Sequence, residues 1–289
     1  MKVYLVTTRA NLEENSRIGE EIKALGHEFK LLDLLKFEYA IRNGKLFIEP
    51  TDDLPDVLIL RGIFNNIKGI SSHIVGLREK GVKVFDNNLL VHKYSINKIS
   101  DLIKLADAGV PVPDSYHLHD FDKFAEAAQE IGYPVVVKLT RTGKGAGVYK
   151  FDNEEELGEF ISRIKENGGE AKSYLLQQFI DYKYDLRVLI IGDKIYSMRR
   201  IPGEGEFRAN FSLGGSVEKF DLDQEDEKLA KAALDAVDIS VGGVDLLISK
   251  DSKRYILEVN HTAGMIGMEA ATGENITKVF VEYAIKNAI

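Results

Sequence analysis

Short aliphatic runs separated by amphipathic stretches pattern the first third of the chain. Val3–Val6, Phe29–Leu32, Val57–Leu60 and Val82–Phe85 have the length and composition of buried strands. After the first run, Ile18, Ile22 and Leu25 recur at helical spacing, and Gly26 stands where a helix would be capped. Strand–helix alternation predicts βαβ units, hence a parallel sheet with right-handed crossovers. Asn87-Asn88 interrupts the pattern. A helix then follows with Ile99, Leu102, Ile103 and Ala106 on one face, stopped by Gly109 and Val110-Pro111-Val112-Pro113. A second helix spans about Phe121–Ile131. The strand Val135–Lys138, a glycine-rich segment through Gly147, the strand Val148–Phe151 and a helix marked by Leu157, Phe160, Ile161 and Ile164 complete a small α+β module. From Tyr174 onward strands dominate, broken by helices at about Glu225–Ala236 and Lys278–Asn287. The expected fold class is therefore α/β followed by α+β, with a mainly antiparallel back and no internal repeat.

The sharpest chemical pattern lies in that back third. Gly242–Ile248 and Tyr255–Asn260 are apolar strands joined by the polar stretch Ser249–Arg254. A two-residue turn at Asp251-Ser252 pairs Lys250 with Lys253. Counting outward sets Asp245 opposite Glu258, with Asn260 two residues further on the same face. A turn one residue longer or shorter breaks that alignment. Like charges directly opposed on a sheet repel, so with no cation bound this pair is expected to carry an electrostatic penalty. A hard cation removes it. Two carboxylates and an amide oxygen form an oxygen-only set, which suits Mg²⁺ when phosphate oxygens and water complete its shell. The competing reading is a solvated acidic face on a hairpin.

Two further segments carry candidate anion ligands. Lys138 ends a valine run and is followed by Thr140-Arg141-Thr142-Gly143-Lys144-Gly145-Ala146-Gly147, where glycines let backbone N–H groups approach an anion. The pattern is not a P-loop, since GxxxxGK[ST] is absent. Downstream, Arg199-Arg200 precedes Arg208 and Asn210, which could hold phosphoryl oxygens by charge-assisted contacts. His117 and His119 stand at strand spacing but read better as a solvated surface pair.

Composition narrows the function classes. The 289 residues are 44% hydrophobic and 29% charged, which allows about two cores without staples. Lys and Arg number 38 against 46 Asp and Glu, a formal charge of −8, which argues against nucleic acid or an anionic membrane as partner. Cysteine is absent, so thiol catalysis, thiolate metal sites and disulfides are excluded. The N-terminus turns polar at Thr7-Thr8-Arg9, too early for a signal peptide. The expectation is a cytoplasmic protein.

Taken in order, these residues resemble the ATP-grasp ligases, and within them the RimK-like glutamate-ligase branch. The resemblance is carried by "DLRVLIIGDKI", "EGEFRANFSLGG", "GGVDLL", "LEVNHTAG" and "GMEAATGENI". The front unit with Leu60-Arg61-Gly62 is similar to the pre-ATP-grasp domain of that branch, less specifically. The resemblance implies an ATP-grasp fold divided at 1–93 (pre-ATP-grasp βαβ domain), 94–180 (central lid subdomain) and 181–289 (C-terminal subdomain with the metal site). It implies that Lys98 and Lys138 contact the phosphates of ATP. Thr142 to Gly147, with Gly143 and Gly145, would form a mobile lid turn. Gln178-Phe179-Ile180 would read adenine through the backbone, and Asp185 would hold the ribose. Arg208, as the catalytic residue, and Asn210 would face the transferring phosphate. Asp245, Glu258 and Asn260 would bind two Mg²⁺ or Mn²⁺, the oxygen set the hairpin count also selects. Two departures stand out. Gln177-Gln178 replaces the usual Gln-Glu, and Asn260-His261-Thr262-Ala263-Gly264 lacks the usual proline before its glycine.

The activity implied is ATP-driven ligation of a small-molecule or peptide carboxylate to the amine of glutamate or a similar amino acid, through an acyl phosphate. Alternatives are another amino-acid or dipeptide ligase of this fold, a kinase, or a silent ATP-binding regulator. A homo-oligomer is compatible with each.

Overall fold

The computed structural model describes residues 1–36, 38–49, 53–63, 67–86, 97–140, 147–203 and 216–289. The front third runs β1 (Lys2–Thr7), α1 (Glu13–Ala24), β2 (Glu28–Asp33), β3 (Glu38–Arg42), β4 (Lys45–Glu49), β5 (Val57–Leu60), α2 (Ile67–Glu79) and β6 (Lys83–Phe85). The four expected strands form a parallel sheet in the order β2-β1-β5-β6. The two central strands are covered on both faces and therefore read as unbroken aliphatic runs. At the edge, β2 buries only Leu32 and alternates with exposed Glu28 and Lys30. The β3–β4 hairpin escapes the sequence reading, although its turn is Asn43-Gly44, with φ of 51° and 72°. Asn-Gly is the strongest short-range hairpin signal because both turn residues need positive φ.

The middle third runs α3 (Lys98–Asp107), β7 (Ser115–Tyr116), α4 (Phe124–Ile131), β8 (Val135–Leu139), β9 (Val148–Phe151), α5 (Glu154–Glu166) and β10 (Tyr174–Gln178). Its antiparallel sheet, β7-β10-β8-β9, packs on α4 and α5 through Phe124, Val135, Val137, Leu157, Phe160 and Leu176. The last third runs β11 (Tyr182–Ile191), β12 (Lys194–Ile201), β13 (Ser216–Lys219), α6 (Gln224–Ala236), β14 (Val241–Ser249), β15 (Arg254–Asn260), α7 (Ile266–Thr272) and α8 (Ile276–Lys286). Its antiparallel sheet has the order β13-β12-β11-β14-β15.

That last sheet organises the molecule. One face, carrying Leu186, Val188, Val244 and Leu246, packs on α6 and on Leu105 of α3. Hence α3, expected in the 94–180 segment, belongs to the core of the C-terminal sheet. The helix also turns differently from the expected apolar face: Leu105 and Asp101 are buried, whereas Ile103 is 64% exposed. A buried polar group takes a core position, which hydrophobic periodicity cannot register.

The opposite face of the sheet is divided along its length. Leu189, Ile191 and Met198 lie under α7 and α8 and share one core with Val3, Ile18, Ile59 and Phe85 of the front unit. Val84 and Ile289 exchange backbone hydrogen bonds of 2.8 and 3.1 Å, tying the two units together. The other end of the same face, around Asp185, Arg187 and Asp245, is charged. Among the described residues no helix is long and apolar enough to cross a membrane.

Candidate active site

The β14–β15 register sets Asp245 directly opposite Glu258 and Gly243 opposite Asn260. The sequence count reaches this pairing through two one-residue departures that cancel. The turn is one residue longer than expected: Ser249 N–H donates to Lys253 O at 2.9 Å, and Ser252 adopts a left-handed φ of 65°. Near the turn Ile248 therefore pairs with Arg254 and Leu246 with Ile256. A bulge that leaves Leu257 without a partner then restores the alignment at Asp245 and Glu258. Bulges of this kind re-aim side chains beside functional sites. Here the Ile256 N–H bonds Pro111 O at 2.8 Å.

The chain's own cations flank both carboxylates, which corrects the expectation of unrelieved repulsion. Arg187, the register neighbour of Asp245, forks onto it, with Nε donating to Oδ1 and Nη2 to Oδ2 at 3.0 Å. Arg200 Nη1 donates to Asp245 Oδ2 at 3.2 Å, and its Nε donates to Asp185 Oδ1 at 2.8 Å. Lys98, in the first turn of α3, donates from Nζ to Glu258 Oε2. Asp185, Arg200 and Asp245 are buried, while the Glu258 side chain keeps 34% of its surface open.

Burial pushes the Asp245 carboxyl up, but Arg187 and Arg200 outweigh it and hold the group below the usual carboxylate range. Glu258 also ends below that range, because Lys98 outweighs burial and the repulsion from Asp245. Asp185 is pushed up by burial, with Arg200 opposing and Asp245 reinforcing the rise. For Arg200, burial works against the charge, yet the two carboxylates raise it above its ordinary value.

Lys138, near the end of β8, faces the same row. Its Nζ donates to Gln177 Oε1, and Gln177 Nε2 donates to Ser115 Oγ at 2.8 Å. Burial and then the charge of Lys98 lower the Lys138 ammonium to about 8, with Glu258, Asp245 and Asp185 pulling the other way. This predicts a pH effect. If the ammonium binds phosphate, kcat/KM for ATP should fall as pH rises through about 8 in the free enzyme. In Lys138→Arg, which stays charged, a pH–rate profile should lack that limb. A profile with the same limb in both proteins would assign the titration elsewhere.

The other expected ATP ligands are placed as follows. Asn97 caps α3 by accepting from Ile99 and Ser100 N–H groups at 3.0 Å, which fixes the turn bearing Lys98. Gly147 closes the β8–β9 connection at φ 73°, and its carbonyl accepts from Leu139 N–H at 2.8 Å. An added Cβ there would lie 2.6 Å from Leu139 Cδ1, so glycine is required. The Gln178 N–H bonds Asp114 O at 2.8 Å, and the Phe179 N–H bonds Pro134 O at 3.3 Å. Lys150 Nζ stands 5.0 Å over the Phe179 ring, and Ile180 is buried. Thr142, Gly143, Gly145, Arg208 and Asn210 lie outside the described residues.

The Asn260–Gly264 loop is pinned by the front unit. Buried Arg61 donates from Nη2 to Ala263 O at 2.7 Å. The Glu14 carboxylate accepts from Met265 and Ile266 N–H groups at 3.0 and 3.1 Å, at the start of α7. Asn260 Oδ1 accepts from Thr262 N–H at 2.9 Å. That oxygen keeps a second lone pair. Arg187, Gln177, Glu14 and Arg61 have no role assigned from the sequence. Only Arg187 carried a local signal, since Asp185 and Arg187 alternate into an otherwise aliphatic strand.

The donor set fits a hard divalent cation. Two opposed carboxylates and an amide oxygen offer oxygen only, and Glu258 is held by a flexible lysine that can leave it. Among the described residues no cluster of three or more His, Cys, Asp or Glu suited to a metal occurs, so the candidate set depends on Asn260. The rings of His117 and His119 meet edge-on at 5.4 Å on the surface, and His117 Nε2 contacts Lys172 O. Arg199 pairs with Glu218 at 3.2 Å rather than joining the charged row. A separate open pocket lies at the carboxyl ends of β1 and β2, lined by Thr8, Arg9, Asn11, Asp33 and Lys36 among others.

Comparison with known proteins gives the family and the fold. A family model described as "RimK-like ATP-grasp domain" matches residues 95–284. A relative from Nitrosococcus oceani, described as "Probable alpha-L-glutamate ligase", is 30% identical over all of this chain and 96% of its own length. A similarly described protein of Legionella pneumophila (strain Corby) is 29% identical over the same shares. Among solved structures, the ATP-grasp ligase PsnB complexed with minimal precursor superposes with a TM-score of 0.73 at 20% identity, covering 99% of each chain. A RimK domain ATP-grasp protein from Sphaerobacter thermophilus gives 0.70 at 19% identity, covering 98% of this chain and 99% of its own. At those identities the structural likeness shows the fold.

Proposed function

This chain belongs to the RimK-like ATP-grasp family, and from that premise we propose that it uses ATP to join a carboxylate to the amine of glutamate or a similar amino acid. The observation that carries the reading is the cross-strand pair Asp245–Glu258, with Lys98 bonded to one member and the charge of both acting on Lys138. A cleft with both signs of charge suits a polyanion that arrives with its own divalent cation.

In the proposed reaction a substrate carboxylate oxygen attacks the γ-phosphorus of ATP, giving an acyl phosphate and ADP. The amine nitrogen then attacks the acyl carbon, phosphate leaves with the carboxylate oxygen, and the amine gives up a proton. The protein positions and neutralises charge, as in phosphoryl transfer generally. Lys98 exchanges Glu258 for a phosphate oxygen, and Lys138, oriented by Gln177, meets another. Asp245, Glu258 and Asn260 would hold Mg²⁺ or Mn²⁺, two ions by the resemblance, which would neutralise developing phosphate charge. Arg187 and Arg200 hold Asp245 through both carboxylate oxygens, so a cation bound there would share or displace one of these contacts. Asp185 joins the same ion-pair row through Oδ1, which accepts from Arg200, and the ribose role expected for it would fall to its other carboxylate oxygen. The Gln178–Ile180 backbone is the proposed adenine contact. Thr142 to Gly147, Arg208 and Asn210 complete the phosphate shell in this reading. The carboxylate partner is a small molecule or a peptide.

The test is ADP release across a matrix of carboxylates and amino acids. The reading expects release that needs both partners and an amide product. ADP release that never depends on an amine would overturn it.

A further inference from the structure

The function proposed above needs Lys98 at the phosphates, and the following inference rests on that reading. The C-terminal half of α3 is held by apolar packing. Leu105 is fully buried, and just beyond the helix Pro111 O accepts from Ile256 N–H of β15 at 2.8 Å. The first turn, which bears Lys98, lacks such an anchor. Ile99 and Leu102 are half-buried and Ile103 faces out.

What meets that turn is polar. Asp101 stands three residues after Lys98, on the same side of the helix. Its Oδ2 lies 2.8 Å from His261 Nε2, and the two side chains are only 8% and 4% exposed. A carboxylate only accepts, so Nε2 carries the proton. His261 directly follows Asn260 on the loop that closes the candidate site. The contact is costly, since among the described residues Asp101 Oδ1 is buried with no hydrogen-bond partner. Apolar side chains of similar volume often stabilise as well as a buried polar pair. A directional bond supplies what they do not: it fixes the rotation of α3 and its distance from the end of β15.

We propose that Asp101 and His261 are positioning residues that hold α3 in the rotation delivering Lys98 to the phosphate site. The pair thus couples the ammonium to the Asn260 loop. Lys98 is the contact; Asp101 and His261 act through it.

Titration calorimetry with ATP and with AMP, both with Mg²⁺, tests this in the full chain after melts confirm folding. His261→Ala should weaken ATP binding about tenfold, within the range of coupled neighbours, and leave AMP binding within about twofold. Lys98→Met should weaken ATP similarly. In the Lys98→Met background His261→Ala should add nothing, because the positioned group is gone. His261→Gln keeps an amide donor near the same reach and should recover most of the loss. Should His261→Ala fail to fold, Asp101→Leu carries the same cycle with the volume retained. Losses that multiply in the double variant, or that fall equally on AMP and ATP, would overturn the positioning role while leaving the ligase reading intact. ATP binding unchanged in Lys98→Met would overturn both.

Discussion

Replacing Asp245 by asparagine should destabilise the protein by about 3 kcal/mol, the low end for removing one partner of a buried ion pair. Arg187 would lose the carboxylate it forks onto and Arg200 one of its two. The low end applies because Arg200 keeps Asp185. For a chain of 289 residues the melting temperature should fall by roughly 5 °C. The effect has a defined pH dependence. Asp245 titrates below its ordinary value when folded, so its stabilisation is complete above the unfolded value near about 4 and is lost as pH falls through the folded one. The gap between parent and variant should therefore narrow on acidification below about pH 4. Asp185, whose carboxyl is pushed up by burial and further by Asp245, acts in the opposite sense, and less strongly in the variant, which opposes part of that narrowing. Equal melting temperatures at neutral pH would show that the Arg187–Asp245–Arg200 row does not support the fold.

Glu258→Gln should behave in the opposite way, losing activity with little change in stability. Removing one preorganised charge-stabilising group costs about 10²–10³ in turnover. The penalty expected from sequence for the opposed carboxylates would leave metal-free stability unchanged or slightly higher in this variant. With Lys98 bonded to a Glu258 side chain that is 34% exposed, the screened pair is worth only about 0–1 kcal/mol. In EDTA the melting temperature should stay level or fall slightly. The rise expected in the parent on adding Mg²⁺ and ADP, through binding to the folded state, should shrink. A variant with normal ATP turnover would remove Glu258 from the metal set.

The two carboxylates differ in ways the sequence could not display. Their place as polar residues in two paired aliphatic strands was legible, whereas their direct opposition was reached only because two one-residue departures cancel. The register was reached although the turn and the bulge at Leu257 each differ by one residue, since local spacing carries no record of a bulge. The buried helices and the parallel sheet followed from periodicity. The face of α3 did not, because Asp101 is buried by a residue 160 positions away. Lys138 was selected as a cation, but its lowered ammonium depends on burial and on Lys98, which only the assembled cleft provides. Arg61 holds Ala263 of the Asn260–Gly264 loop and Glu14 the Met265 and Ile266 N–H groups just after it, each across more than 200 residues of sequence, and no local pattern announces such contacts.

Activation of a carboxylate as an acyl phosphate is the central claim, and hydroxylamine trapping tests it most directly. With ATP, Mg²⁺ and a carboxylate that supports ADP release, hydroxylamine in place of the amine should give a hydroxamate in step with ADP. A stable phosphorylated product, formed without dependence on any amine and with no hydroxamate, would contradict the account and identify a kinase.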